Sequence, residues 1–206
     1  MRTSSYSYKN TVLILIGINI LVFFVQQLMP PVTVLLSLNP RAILNGWLWG
    51  FVSYMFVHGT IGHLLCNMLA LFIFGIAVEQ NLGTKEFLIY YFITGIFAGL
   101  FSFGIYLLTG AYNVFLLGAS GALFAVQLAY AVLFPDSIIY FWGIVPLRAP
   151  VMVLGFTAIE LILTVMNRQS GVAHLTHLAG FATGWLYFLI RFRRNPWKSM
   201  HLLSRH

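Results

Sequence analysis

Residues 173–184 read AHLTHLAGFATG, at the start of the last of several long apolar stretches in the chain. Gly180 and Gly184 are four residues apart, a small-residue spacing that lets helix backbones approach closely in a lipid-embedded bundle. His174 and His177 are polar side chains at the beginning of the same stretch. Because polar groups inside a bilayer are costly, the depth of these histidines carries functional information.

The composition is that of a membrane protein. Hydrophobic residues make up 60% of the 206 residues and charged residues only 7%, a balance outside the range of soluble domains. A helix needs about 20 apolar residues to cross the hydrocarbon core. This criterion predicts six spans, at Thr11–Leu28, Ile61–Val78, Phe87–Leu108, Gly118–Phe134, Ala149–Met166 and Leu175–Ile190. The fourth and sixth spans are short, so we expect their outer ends either to begin below the membrane surface or to lie among neighbouring helices instead of in lipid.

The net charge of +7 reflects membrane topology. The basic residues mark the ends of the spans and do not form a face with interleaved aromatics, so no nucleic-acid partner is predicted. With a cytoplasmic amino terminus, only Arg41 and Arg168 fall in outer segments. The inner segments then hold Arg2, Lys9, Lys85, Arg148, Arg191, Arg193, Arg194, Lys198 and Arg205. The positive-inside rule therefore predicts that both termini are cytoplasmic.

The chain is predicted to be a single transmembrane domain, residues 1–206, with a short cytoplasmic tail at 1–10 and a basic tail at 191–206. The first span is followed by no small-residue cleavage site, so we expect it to remain as an anchor. The outer connection Met29–Tyr54 contains prolines and tryptophans and is predicted to hold short helices in the membrane interface. The inner segment PDSIIYFWGIVPLR, residues 135–148, is predicted to form an extended hairpin.

Residue spacing argues against several other chemistries. Cys66 is the only cysteine, which excludes an internal disulfide and a CxxC site, and we expect it to be a small buried residue. The chain has no His-Glu-x-x-His run, so neither a metal nor a cofactor is predicted. Aspartyl intramembrane cleavage needs two intramembrane aspartates, and the single aspartate, Asp136, lies in a loop.

Three spans place polar residues in the same outer layer. His63 and Asn67 are one helical turn apart on one face of the second span. Ser120 lies at the outer end of the fourth span, and His177 lies near the outer end of the sixth. A serine that meets a histidine at this level suggests nucleophilic catalysis, with the histidine as general base.

The residues around Ser120 support this interpretation. Gly118 and Gly121 permit a tight turn and close backbone approach, and a helix amino terminus offers free N–H donors to an oxyanion. His63 and Asn67 can donate hydrogen bonds toward the same point. Glu160 is the only acid toward the outer half of a span, and a serine–histidine dyad is the more economical prediction. Three roles stay open for Glu160: exposure to water, a bond to a neighbouring helix, or control of substrate access between the second and fifth spans.

Three sequence motifs occur in a fixed order: HGTIGHLLCN at residues 58–67, GASG at 118–121 and AHLTHLAGFATG at 173–184. They resemble the HxxxxHxxxN, GxSG and AHxxHxxGxxxG motifs of the rhomboid intramembrane serine proteases, and the likeness covers nearly the whole chain. GIAVE at 75–79 also fits, and its glutamate, Glu79, is expected to anchor a helix end or loop at the inner surface.

The resemblance implies an all-α membrane protein, a compact bundle of six transmembrane helices. It implies that Ser120 is the nucleophile and His177 the base, and that His63, Asn67 and the Ser120 N–H form the oxyanion hole. The substrates are then transmembrane segments of other membrane proteins, with helix-weakening residues and a small residue before the cut. His58 and His174 are expected to orient the outer loop and helix starts.

Two positions depart from the family pattern. Members often have Trp-Arg nine residues before the first histidine of the second span, whereas here Trp49 is followed by Gly50, so the role of that arginine is absent or filled elsewhere. Some members have a tyrosine four residues after the serine, where this chain has Phe124. An aromatic ring at Phe124 can still pack against His177, so we expect activity to survive.

Two other functions are alternatives to proteolysis. A catalytically inactive relative that binds transmembrane segments is one, although retention of Ser120 and His177 argues against it. A small transporter or channel is the other, but the intramembrane polar residues leave no polar path to the inner side. The predicted protein lies in the lipid bilayer of a bacterial inner (plasma) membrane, with its site toward the outer face. The sequence specifies no oligomeric state.

Overall fold

The chain folds as an all-α bundle with one small hairpin, and the computed structural model describes residues 9–141, 143–166 and 171–200. The elements are α1 (Thr11–Leu28), α2 (Pro31–Leu36), α3 (Pro40–Leu44), α4 (Gly50–Ser53), a 3-10 turn (Tyr54–Phe56), α5 (Ile61–Ala70), a π-helical segment (Leu71–Gly75), α6 (Ile76–Leu82), α7 (Thr84–Thr109), α8 (Ser120–Leu133), β1 (Ile138–Phe141), β2 (Val145–Arg148), α9 (Ala149–Met166), α10 (Gly171–Arg191) and α11 (Pro196–Ser199).

A helix lies at each of the six predicted spans. Within the described residues, four helical stretches are long and apolar enough to cross a membrane: Thr11–Leu28, Ile61–Leu82, Thr84–Thr109 and Ala149–Met166. The chain is therefore an integral, multi-pass membrane protein with the predicted fold class. The second stretch runs continuously through α5, the π-helical segment and α6.

The two short spans differ from each other. Helix α8 is short, at 14 residues, as predicted for the fourth span. Helix α10 has 21 residues and begins at Gly171, so the prediction of a short sixth span is wrong. The apolar window began only after the polar His174, which the helix includes and whose Nδ1 lies 2.5 Å from Glu160 Oε2 of α9.

Helix α8 forms the centre of the bundle, which explains why its apolar residues cover all sides. Ten of its 14 residues are buried. Helix α10 packs against α7, α8 and α9, and α7 packs against α8. The Tyr90 hydroxyl donates to the Ala125 carbonyl at 2.7 Å, which joins α7 to α8 in the core. The amino terminus of α8 is thus held from several directions.

Glu79 anchors two helix ends with one buried carboxylate. It accepts hydrogen bonds from the backbone N–H groups of Thr11 at 2.9 Å and Val12 at 3.0 Å, the first residues of α1. The Thr84 hydroxyl, at the start of α7, donates to the same carboxylate at 2.6 Å. The N-cap residue Asn10 makes no side-chain cap. Glu79 therefore satisfies N–H groups that the helix itself leaves unpaired.

The connection between α1 and α5 contains the predicted short helices, α2 to α4. It is tied to the bundle by a bridge in which Leu38 and Leu116 exchange backbone hydrogen bonds of 3.0 and 2.9 Å. Gly50 is buried at the start of α4, where a Cβ would lie 3.1 Å from the Ile43 side chain and 3.4 Å from the Ser37 carbonyl oxygen. A side chain as long as arginine does not fit there without moving these neighbours.

Two further predictions concern the surface of the bundle. The segment after α8 forms the expected antiparallel hairpin, with Ile138 opposite Arg148. The expectation that Cys66 is buried is wrong, because Cys66 is exposed. It shares one face of α5 with the exposed Leu65 and Leu69, and that face points away from the bundle. Residues 1–8 and 201–206 and Arg168 lie outside the described residues, so the predictions that fall on them stay predictions.

Candidate active site

Ser120 is the first residue of α8, where the preceding loop turns into the helix. Gly118 has a φ of +112°, in the left-handed region that residues with a Cβ rarely adopt. The Gly118 N–H donates to the Tyr54 carbonyl at 2.9 Å, which fixes the turn to the end of the outer connection. Ser120 therefore sits at a helix amino terminus, where the first N–H groups have no intrahelical acceptor.

The imidazole of His177 lies against the Ser120 hydroxyl. The His177 Nε2 and Ser120 Oγ atoms are 2.7 Å apart, a hydrogen-bond distance. The two side chains come from α10 and α8, whose backbones touch at two glycines: a Cβ at Gly180 would lie 1.9 Å from the carbonyl oxygen of Gly121. The glycine that allows close packing therefore also allows the serine and histidine to meet.

Phe124 lies one turn beyond Ser120 on α8 and stacks on His177. The ring centroids are 4.8 Å apart and the planes differ by 7°. This offset-type aromatic contact holds the imidazole plane while leaving its nitrogens free to bond. The expectation that Phe124 packs against His177 agrees with this geometry.

His63 and Asn67 lie on α5 with their polar atoms directed at the turn before Ser120. A Cβ at Gly118 would lie 2.7 Å from His63 Nε2 and 3.6 Å from Asn67 Nδ2. Asn67 is buried, and its Nδ2 has no hydrogen-bond partner among the described residues. The structure thus brings all four predicted side chains, from three helices, to one end of the bundle.

His58 supports this end of the bundle from the loop before α5. Its backbone N–H donates to Gln26 Oε1 of α1 at 3.1 Å, and its carbonyl accepts from Gln26 Nε2 at 3.2 Å. Its ring lies 5.0 Å from that of His63, centroid to centroid. Burial, with a smaller contribution from His63, lowers the pKa of His58 to about 4, so this histidine is neutral at neutral pH.

Glu160 lies beside His177. Its Oε2 atom is 3.1 Å from His177 Nδ1 and 2.5 Å from His174 Nδ1. The contact with His174 is a hydrogen bond, whereas the contact with His177 Nδ1 is within ion-pair distance but is not a hydrogen bond. The alternative in which Glu160 bonds to a neighbouring helix agrees with this geometry, and the catalytic dyad stays a prediction.

Depth along the helices is the signal that could have identified Glu160. It lies six residues before the end of α9, and His177 lies six residues after the start of α10. Two consecutive antiparallel helices that rise about 1.5 Å per residue place such positions at the same level. The sequence does not show which way the two side chains point around their helices, so contact did not follow from depth alone.

The same three side chains could hold a metal ion. The ligand atoms of Glu160, His174 and His177 all lie within 4.8 Å of one another. His₂Glu is a ligand set that zinc accepts. Glu160 and His174 already share a hydrogen bond and His177 Nε2 is bonded to Ser120, whereas His177 Nδ1 has no hydrogen-bond partner among the described residues.

The arrangement can carry out acyl transfer. A serine hydroxyl bonded to an imidazole nitrogen has a base for its proton. Free N–H donors of a helix start, an unpaired amide N–H and an imidazole nitrogen lie around the turn that precedes the serine, where they can stabilise an oxyanion.

Comparisons with known proteins agree with the sequence motifs. A sequence model of the Rhomboid domain matches residues 45–194, a range that contains Ser120, His177, His63 and Asn67. RHOMBOID-like protein 12, mitochondrial, of Arabidopsis thaliana is 30% identical over 156 residues, which cover 67% of this chain and 45% of the relative. RHOMBOID-like protein 2 of the same plant is 34% identical over 144 residues, 66% of this chain and 40% of the relative.

A bacterial protein is similar to the same degree. Rhomboid protease AarA of Providencia stuartii is 30% identical over 163 residues, which cover 69% of this chain and 56% of that protein. The chain spans less than two thirds of the length of each of these three relatives.

Proposed function

The chain belongs to the rhomboid family, and from that premise we propose that it is an intramembrane serine endopeptidase that hydrolyses peptide bonds in or near transmembrane segments of other membrane proteins. Ser120 is the nucleophile and His177 is the general base. His63, Asn67 and the Ser120 N–H form the oxyanion hole. The observation that carries the proposal is the 2.7 Å distance between Ser120 Oγ and His177 Nε2.

In the first half of the reaction, the Ser120 oxygen attacks the scissile carbonyl carbon while His177 Nε2 takes the hydroxyl proton. The carbonyl oxygen becomes an oxyanion that accepts hydrogen bonds from the oxyanion-hole donors. The C–N bond then breaks, and the leaving amine takes the proton from His177. An acyl ester on Ser120 remains, and one substrate fragment is released.

In the second half, a water molecule attacks the ester carbonyl and gives its proton to His177 Nε2. The ester bond breaks, Ser120 recovers the proton, and the carboxylic product leaves. The side chain of His177 is 20% exposed, which leaves room for a water molecule to approach the ester. Phe124 holds the imidazole plane in both halves of the cycle.

The site lies at the end of the bundle where α8 and α10 begin. We propose that this end faces the outer side of a bacterial inner membrane and that both termini are cytoplasmic, because nine of the eleven basic residues then lie inside. Residues 1–206 form one transmembrane domain in this proposal. A substrate helix has to unwind locally at this level to expose a carbonyl group to Ser120.

The proposal is tested with purified protein in detergent and a transmembrane reporter substrate. We expect cleavage at one position within or near the transmembrane segment, measured by mass spectrometry of the products. A fluorophosphonate is expected to label Ser120 and to block cleavage in proportion to labelling. Captured but uncleaved substrate, with no label on Ser120, would contradict the protease and favour the inactive binder of transmembrane segments.

Asn67→Ala is expected to lower kcat by about 10²- to 10³-fold, which is the usual effect of removing one oxyanion-hole donor. The reason is that Asn67 Nδ2 has no partner among the described residues, so its donor is available to the oxyanion. Steady-state kinetics on the reporter measures the effect. Asn19→Ala is the matched control, since Asn19 is also buried but bonds to Leu15 of its own helix. Equal kcat values for both variants would remove Asn67 from the oxyanion hole.

A further inference from the structure

Glu160 is an acid in a membrane helix, placed between two histidines of the next helix. Its carboxylate is 15% exposed and lies 2.5 Å from His174 Nδ1 and 3.1 Å from His177 Nδ1. An ionisable group at this position of an apolar helix is costly unless it has partners. Both partners, His174 and His177, lie near the start of α10. The position of the Glu160 carboxylate beside His177 therefore suggests a role in the reaction in addition to helix packing.

The chemistry of these contacts determines where the protons lie. An ionised carboxylate only accepts hydrogen bonds, so His174 Nδ1 carries the hydrogen of the 2.5 Å bond. A carboxylate 3.1 Å from His177 Nδ1 likewise favours the tautomer with its hydrogen on Nδ1. In that tautomer Nε2 has a free lone pair, and the Ser120 hydroxyl donates to it at 2.7 Å. This is the tautomer that a general base requires.

We propose that Glu160 is a positioning residue for the reaction: it holds His177 with Nε2 toward Ser120 and faces the imidazolium ion that forms when His177 takes the serine proton. This proposal rests on the proposed function, and it adds Glu160 to the Ser120–His177 dyad as a third residue. No proton passes to Glu160, whose carboxylate stays ionised throughout. His174 holds the carboxylate in place through the shorter contact, which is a hydrogen bond.

The size of the effect follows from the geometry. In a buried triad with an aligned bond, replacing the acid by its amide lowers kcat by about 10⁴-fold. Here the carboxylate is hydrogen-bonded to His174, and its contact with His177 Nδ1 is not a hydrogen bond. Phe124 also fixes the imidazole plane without help from the acid. We therefore expect a smaller loss for Glu160→Gln, about 10²-fold in kcat.

Glu160→Gln and Glu160→Asp are compared with the parent protein in EDTA-containing detergent buffer, on the transmembrane reporter. The expected result is a loss of about 10²-fold in kcat for Glu160→Gln with KM unchanged, and partial recovery with Glu160→Asp, which keeps the charge. The rate of Ser120 labelling by a fluorophosphonate should fall by a similar factor, since labelling needs the base but no substrate helix. A role of α9 in substrate entry alone would change KM and leave labelling unchanged.

Glu86→Gln is the matched control, because Glu86 also pairs with charged and polar partners, Arg191 and Tyr187, but does so at the far end of α10. We expect it to keep the parental kcat and labelling rate. Thermal unfolding in detergent is measured for every variant. If Glu160→Gln unfolds below the assay temperature, Glu160→Asp decides: a reduced kcat at constant KM supports the proposal, and a parental kcat overturns it.

Parental kcat and labelling in a folded Glu160→Gln variant, or a change confined to KM, would overturn the positioning role while leaving the protease intact. A parent protein that neither cleaves the reporter nor reacts with the fluorophosphonate would instead overturn the proposed function, and the positioning role with it.

Discussion

Ser120→Ala is expected to abolish cleavage of a transmembrane reporter, with kcat lowered by roughly 10⁴-fold or more. The substitution removes the oxygen that attacks the carbonyl and leaves His177 Nε2 without the partner it has at 2.7 Å. The fold should be unaffected, because alanine fits the amino terminus of α8 and the hydroxyl bonds only to His177 among the described residues. Product formation over hours, quantified by mass spectrometry, measures the loss.

Ser137→Ala is the matched control. Its hydroxyl donates to the Phe134 carbonyl at 2.7 Å, just beyond the opposite end of α8, and has no contact with the site. We expect parental kinetics from this variant. A Ser120→Ala/His177→Ala double variant should be no slower than either single variant, because residues that act as one unit show strongly non-additive effects. Residual cleavage by Ser120→Ala within ten-fold of the parent would exclude Ser120 as the nucleophile.

Much of the fold could be predicted because the bilayer imposes strict rules on sequence. An apolar stretch of sufficient length has to be helical in lipid, since each backbone polar group must be satisfied internally. The bounds of α1 and α9 match the predicted spans Thr11–Leu28 and Ala149–Met166. The turn chemistry around Pro135 and Pro146 similarly predicts the hairpin. The positions of these elements along the chain could therefore be predicted from the sequence.

The direction in which a side chain points around its helix axis could not be predicted as well. Cys66 was expected to be buried from its residue type, yet it lies on the outward face of α5. Glu160 could be placed at the correct depth, but its contact with His177 depends on the rotation of α9 about its axis. Ser120 and His177 were predictable because motif glycines mark the two faces that touch. No comparable marker surrounds Glu160 in α9.

Gly180→Ala is expected to lower kcat by roughly 10³-fold, although residue 180 carries no functional group. A Cβ there would lie 1.9 Å from the Gly121 carbonyl oxygen and 2.6 Å from its carbonyl carbon, both backbone atoms that cannot move aside alone. To restore van der Waals distances, α8 and α10 have to separate by about 1.5 Å. A misplacement of about 1 Å already costs roughly 10²-fold in rate. The separation also breaks the 2.7 Å bond between Ser120 and His177.

The measurements are kcat on the reporter and the fluorophosphonate labelling rate, which should fall together because both need His177 beside Ser120. Gly104→Ala is the matched control: this glycine lies in the membrane helix α7, and a Cβ there meets nothing within 4 Å. We expect the control to keep parental activity and thermal stability. Circular dichroism establishes whether Gly180→Ala retains the helices. Parental activity in a folded Gly180→Ala protein would mean that the contact of α8 with α10 does not set the Ser120–His177 distance. The inference that the Gly180 contact controls catalysis would then be wrong.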